Sequence, residues 1–211
     1  VSAERIADEL HKMLVLPRRA DGMRLIPPIL PELEEMMGLP QGPPAAPTGD
    51  LWAHVLKVLE ILEGPTWPRP EPVRFTLAFA TLLHDIGKRR TVGRTPDRYT
   101  FHGHEHVGKR MASDICHRLK LANRERLRIE WLVEKHQYLC DAPVMRASRL
   151  KPMLAPPGIG ELLALHRADS IATGKSIAHV EFCENLLRTM PPEQLNPPPV
   201  INGDDLRAMG I

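Results

Sequence analysis

The run Leu82-Leu83-His84-Asp85-Ile86-Gly87-Lys88 sets a histidine beside an aspartate in an apolar stretch, with His54 upstream and Asp169 downstream. Imidazole and carboxylate are natural ligands of hard-to-borderline divalent ions. An unpaired aspartate among apolar neighbours carries a large desolvation penalty, and a cation is its natural compensation. The chemistry this suggests is metal-assisted work on phosphate esters. His54, His84, Asp85 and Asp169 form a mixed nitrogen and oxygen set that leaves octahedral positions open for water and a phosphate oxygen. Such a set suits Mn, Ni, Co, Fe or Zn better than Mg. An ion there would acidify water near neutral pH and neutralise charge on the phosphoryl oxygens. His104 and His136 are the histidines best placed to hold a second ion or to act in proton transfer, so one or two ions per chain are expected. Lys88, Arg89 and Arg90 are candidate anchors for the substrate phosphate, although a Lys past a helix end also serves simply to complement the helix dipole.

The elements that must position these residues read as helices. Residues 1–16 carry Ile6, Leu10, Met13 and Leu14 at helical spacing with Ser2 as N-cap, and Arg18 to Gly22 are expected to end that helix. A shorter helical piece spans about 29–37, and the Pro/Gly/Ala-rich stretch Gly38 to Thr48 reads as a linker. Helix 50–63 starts at Asp50 and turns His54 inward with Leu51, Val55, Val58 and Leu62. Helix 73–86 is apolar nearly all round, which marks it as central and buried, and places His84 and Asp85 in its last turn. Successive helical residues diverge by about 100°. A His-Asp pair therefore addresses one ion only where the chain opens, and Gly87 is the expected opening. Residues 89–101 read as a polar loop. Helix 103–119 aligns Val107, Met111, Ile115 and Leu119, with His104 near that face, while His102 and His106 diverge from it. Helix 124–138 takes Asn123 as N-cap and ends near His136. Helix 159–173 puts Leu162, Leu165, His166, Asp169 and Ala172 on one face, and helix 175–190 closes the body. His166 reads as a core residue, and His11, His117 and His179 as surface residues.

The composition fits that picture. With 211 residues, 43% apolar and 26% charged, the chain can bury one substantial core. Only 4% of residues are aromatic, and the 22 prolines cluster between the helical segments, which favours an all-α body. The three cysteines form no CxxC pair, which argues against a disulfide framework or thiolate zinc site and for a reducing compartment. No window approaches the ~18 apolar residues of a membrane span and no signal peptide is visible, so no membrane is expected and a cytoplasmic location is. Residues 86–128 hold twelve Lys/Arg against four Asp/Glu, while the chain as a whole is only +2. That stretch reads either as a solvated surface or as a footprint for a polyphosphate or RNA backbone.

His54, His84-Asp85 and Asp169 on successive helices resemble the H…HD…D signature of the HD-domain metal-dependent phosphohydrolase superfamily, over about residues 50–175. The segments Gly49-Asp50-Leu51-Trp52-Ala53-His54, Phe101-His102-Gly103-His104-Glu105-His106-Val107-Gly108 and Gly203-Asp204-Asp205-Leu206, with the N-terminal Val1-Ser2-Ala3-Glu4-Arg5-Ile6, are similar to the HD region behind the catalytic head of bacterial tRNA nucleotidyltransferases and poly(A) polymerases. The resemblance implies an all-α helical bundle with a metal site between helices. It also implies phosphatase or 2′,3′-cyclic phosphodiesterase activity on nucleotides or RNA ends. The expected organisation is an N-terminal helical segment and linker (1–48), an HD domain (49–190) and a Pro-rich connection with a C-terminal cap segment (191–211).

The nucleotidyltransferase head, with its Gly-Ser loop and strand-borne aspartates, has no counterpart in this sequence. Nucleotide addition is therefore not expected of this chain alone, and a start at Val1 points to a piece of a longer polypeptide. Two functional readings stand. The first is a metal-dependent phosphohydrolase for nucleotide or RNA-terminal phosphoesters, with Asp85, His104, His136 and Lys88 as its catalytic groups. The second is a non-catalytic tRNA-binding or dimerisation module with a vestigial or structural metal site. The sequence leaves the oligomeric state open, a dimer included.

Overall fold

The computed structural model describes residues 2–40, 49–62, 73–95, 97–195, 207–208 and 210. Most of the expected linker, the Gly203 to Leu206 motif and the end of the Pro191 to Pro199 run, residues 196–199, lie outside them. Helix α1 spans Ala3–Val15, and the Ser2 hydroxyl accepts a hydrogen bond from the Arg5 amide at its start. Arg18 then turns left-handed at φ 61°, but the chain does not stop there: α2 forms over Arg19–Met23. The cause is burial. Ala20 and Met23 enter the core, and Arg19, 4% exposed, donates from Nε to the Leu14 carbonyl at 2.9 Å. A 3₁₀ turn over Pro31–Met36 leads towards α3, Leu51–Ile61, whose cap is Asp50: one carboxylate oxygen accepts from the Ala53 amide and the other from Gly38.

Helix α4, Phe75–Leu83, is buried at all but one of its residues and forms the centre of the bundle. It ends earlier than the sequence suggests. Leu83 is its last residue, His84 is the C-cap, Asp85 leaves the helical conformation at φ −105° and ψ 7°, and a 3₁₀ turn runs over Ile86–Thr91. The opening is thus at Asp85 and not at Gly87. Gly87 serves a different need: a Cβ added there would collide with the His104 carbonyl and come within 2.7 Å of the Gly108 amide nitrogen. Its missing side chain lets the turn after the dyad and helix α5 approach backbone to backbone.

The expected polar loop contains a short antiparallel ribbon, β1 (Gly93–Arg94) paired with β2 (Tyr99–Thr100). It is followed by α5 (His104–Arg118) and α6 (Asn123–Lys135), which pack against each other and, through α6, against α4. Ala122, not Asn123, is the N-cap of α6; Asn123 is already helical and its side-chain oxygen accepts from Arg126. Helix α7 (Ala147–Leu154), which carries Pro152 inside it, was not apparent in the sequence pattern. Helices α8 (Ile159–Ala172), α9 (Ala178–Thr189) and α10 (Pro192–Leu195) complete the bundle. The described residues are helical apart from the ribbon and the loops, as an all-α fold requires, and no described helix is long and apolar enough to cross a membrane.

One apolar cluster runs from Leu10 and Leu14 of α1 through Phe79 of α4 to Leu165 of α8, so the N-terminal helices share the core of the rest. His11, expected as a plain surface residue, is partly buried at the edge of this cluster: its ring stacks on Phe75 with 3.5 Å between centres, with Nδ1 against the Ala7 carbonyl and Nε2 2.9 Å from Glu125. The charge asymmetry is largely resolved within the chain as well. Among the described residues, seven of the twelve cations of residues 86–128 are ion-paired, including Arg90 with Glu35, Arg118 with Glu32 and Lys120 with Glu4. Acidic residues of the N-terminal segment thus meet the basic stretch.

The Gly87 contact yields a prediction. Since the atoms facing its missing Cβ are backbone and cannot swing aside, Gly87→Ala should destabilise the fold by about 1–3 kcal/mol, the range for overpacking. Thermal unfolding followed by circular dichroism reads this out, and an unchanged midpoint would refute it.

Candidate metal centre

Five helix segments converge on the dyad. His54 comes from the first turn of α3, His84 and Asp85 from the end of α4, His104 from the first residue of α5, His136 from just past the end of α6, and Asp169 from the last turn of α8. Their donor atoms fall into two groups, His54 with His84 and Asp169, and Asp85 with His104 and His136, each compact enough to hold a metal ion. Asp85 joins the groups. Its Oδ2 lies 3.3 Å from His84 Nε2 and 3.6 Å from His54 Nε2, while Oδ1 lies 3.2 Å from His104 Nε2 and 3.4 Å from His136 Nε2. His54 Nε2 also stands 3.1 Å from Asp169 Oδ1. All six positions singled out in the sequence therefore meet at one place.

The hydrogen bonding decides what this place is fit for. His84 Nδ1 lies 2.7 Å from the Thr81 carbonyl, His104 Nδ1 2.7 Å from that of Phe101, and His136 Nδ1 2.7 Å from that of Val133. A carbonyl oxygen can only accept, so each Nδ1 carries the proton and each neutral ring turns a bare Nε2 lone pair inward. Nε2 of His104 and Nε2 of His136 face each other at 3.1 Å with Asp85 Oδ1 beside them. No proton remains to join these atoms while both rings are neutral. His84 Nε2 and Asp85 Oδ1 are buried without a hydrogen-bond partner among the described residues. Converging, desolvated lone pairs repel one another, and a divalent cation is the species that relieves them.

The charges act on these groups in opposite senses. Burial alone would raise the Asp85 pKa, but the Lys88 ammonium beside it helps hold its carboxyl well below the usual carboxylate range. Asp169 is held at about 2, with the His54 contact overcoming its burial. Burial opposes protonation of His84, yet Asp85 pulls its pKa upward, whereas burial lowers that of His136. Asp169 is the most open of the four original positions, its side chain 28% exposed against 2% for Asp85, which puts it at the mouth of the site.

The candidate phosphate anchors separate. Lys88 reaches back, its Nζ 2.6 Å from Asp85 Oδ2 and 5.3 Å from the centre of the Phe101 ring. Arg90 is committed to Glu35 through two hydrogen bonds of 2.9 and 3.1 Å. Arg89 is exposed. His102 and His106 point to solvent, as their diverging faces implied, and His117 is exposed. What the sequence did not reveal are the three carbonyls that orient the rings, since Thr81, Phe101 and Val133 contribute backbone only; the one available signal was their shared place three residues before a helix-end histidine. Also hidden was His179, whose buried Nε2 has no described partner and whose ring lies edge-on to that of His166 at 5.4 Å between centres.

The chain belongs to the HD domain family, whose model matches residues 51–174. It is 34% identical to an A-adding tRNA nucleotidyltransferase of Deinococcus radiodurans over 98% of its own length, which is 49% of that protein. A CC-adding tRNA nucleotidyltransferase of Thermus thermophilus is 34% identical over 63% of this chain and 31% of its own, and a multifunctional CCA protein of Nitrosomonas eutropha is 30% identical over 62% and 30%. The chain thus spans about half or less of the length of these relatives.

His166 makes the stability of the fold depend on pH. It is 2% exposed and bonded to the Lys135 backbone, and burial lowers its pKa to about 3. The unfolded chain takes up a proton near pH 6.5 while the native ring stays neutral, so stability contributed by this site is full above pH 6.5 and falls as pH drops towards 3. In metal-free protein, His166→Gln should abolish about 2 kcal/mol of the stability difference between pH 7 and pH 5. Urea unfolding at both pH values measures it; identical pH dependence in the two proteins would contradict the buried neutral ring.

Proposed function

We propose that this chain is a metal-dependent phosphohydrolase acting on a nucleotide or RNA-terminal phosphoester, of the phosphomonoesterase or 2′,3′-cyclic phosphodiesterase type. The observation that carries the reading is the inward set of bare Nε2 lone pairs around the Asp85 carboxylate. His54, His84, Asp85 and Asp169 hold one ion, and Asp85, His104 and His136 a second, with Mn, Ni, Co, Fe or Zn favoured over Mg by the nitrogen-rich set. Such an ion supplies positive charge at the phosphoryl oxygens and acidifies water. The chain's own groups do the rest. Thr81, Phe101 and Val133 fix the ring orientations, so little reorganisation is needed as the reaction proceeds. Lys88, held against Asp85 Oδ2, sets a cation beside the dyad for the phosphate oxygens. Where His104 and His136 are not ligating, their bare Nε2 atoms are positioned to take a proton from the attacking water. A cytoplasmic setting belongs to the same proposal and suits Cys116, Cys140 and Cys183, all unbridged.

Protein purified without chelators should contain one to two equivalents of transition metal, and Asp85→Ala should lose both the metal and at least 100-fold in hydrolysis of a 2′,3′-cyclic nucleotide. Elemental analysis and a phosphoester panel with Mn, Ni, Co and Mg measure this. Turnover surviving in Asp85→Ala, with circular dichroism unchanged, would overturn the assignment.

A second reading, a tRNA-contacting module, draws on the names of the relatives and on Arg89, Arg94, Arg98 and Arg110, which are exposed and make no ion pair among the described residues. Absence of turnover with every ion, together with an affinity for structured RNA that falls steeply with salt, would favour it.

A further inference from the structure

Two clefts flank the bundle. The larger, about 940 Å³, lies at the N-terminal ends of α4, α6 and α8, is lined by Arg74, Trp131 and Glu161 among others, and touches none of the six donor residues. The smaller, about 400 Å³, opens beside the dyad and is lined by Lys88 and His104, by Tyr99 of β2 and by Phe101 just past it, together with Arg98 and Gln137. Its size is that of a pocket for one small organic group.

The smaller pocket and the metal centre share parts. Phe101 contributes its ring to the wall and its carbonyl to His104 Nδ1, 2.7 Å away. Lys88 stands between Asp85 Oδ2 and the face of the same ring. Tyr99, on β2, and Phe101, just past its end, both line this pocket. An aromatic wall, two cations and an amide at the rim form a surface on which a planar heterocycle can stack while its phosphate reaches the dyad.

We infer that this pocket holds the base of the nucleotide substrate, stacked on the Tyr99 side of the wall, so that the enzyme acts on phosphoesters of nucleosides and discriminates against phosphoesters that lack a base. Stacking engages the face common to all bases, so the pocket selects for a base without selecting strongly among bases. The inference rests on the phosphohydrolase reading for the ester being cleaved, but the binding it describes needs no turnover.

The probes are adenosine 2′,3′-cyclic monophosphate and, as the base-free counterpart, ribose 5-phosphate, each titrated against metal-free protein and followed by saturation-transfer NMR and calorimetry. The adenine protons should receive saturation, Tyr99→Ala should weaken the nucleotide about tenfold, and Tyr99→Phe should bind as the wild type does. Ribose 5-phosphate should bind more weakly than the nucleotide and be indifferent to either change. Gln137→Ala, an exposed position with no packing role, should weaken the nucleotide by a smaller factor and guards against misfolding of the ribbon variant. Equal nucleotide affinity in wild type and Tyr99→Ala, or equal affinity for the two probes, would overturn the inference. Nucleotide binding that depends on Tyr99 without hydrolysis under any metal would instead retain the pocket and sink the phosphohydrolase reading.

Discussion

Three rings at the heart of this protein are held by one repeated bond, from Nδ1–H to the carbonyl three residues earlier in the chain. That bond fixes the tautomer, and the tautomer fixes everything about the centre. If Nδ1 were the bare nitrogen, the Nε2–H groups would donate to Asp85 and satisfy it, and the cluster would be an ordinary buried hydrogen-bond network. With the proton on Nδ1 the same residues become converging donors of electron pairs. The carbonyls are available because each histidine stands at a helix end, where the last carbonyls lack helical partners or the first turn is still forming.

The bundle's other features serve that arrangement. Asp85 leaves α4 in a non-helical conformation, so its carboxylate can face both His84 and the histidines of α5 and α6. Gly87 removes the side chain that would hold α5 away from the turn. Farther out, the carboxylates of Glu4, Glu32 and Glu35 bind cations of the basic stretch and tie the N-terminal segment onto the body, joined by His11 stacked on Phe75. Surface pairs of this kind add little stability individually. Their place along the chain matters more, because they relate segments far apart in sequence.

The convergence of His54, the His84-Asp85 pair and Asp169 was legible because each lies on or beside the inward side of its helix, and helical periodicity reports which side that is. His104 and His136 were legible for the same reason. Caps were read correctly where a side chain does the capping, as at Ser2 and Asp50, and missed at Ala122, where the backbone turns without one. Helix α7 was missed because Pro152 and its flanking prolines disguise it. The short ribbon β1–β2 was missed because two residues per strand leave no alternation to read. The roles of His11 and His179, and the pairing of Arg90 with Glu35, depend on contacts between distant segments, about which local pattern is silent. The charge of residues 86–128 was counted correctly, but its meaning changed once the partners were visible.

The close approach of Gly87 to α5 has a kinetic side. Backbone packed on backbone leaves no flexible side chain to act as a cushion, so the turn carrying Asp85 and the helix start carrying His104 must shift together or not at all. Neither half of the centre can loosen alone. Opening would then be an all-or-none event involving the end of α4 and the start of α5, and amide protons on both sides of the contact would exchange with solvent at a common rate.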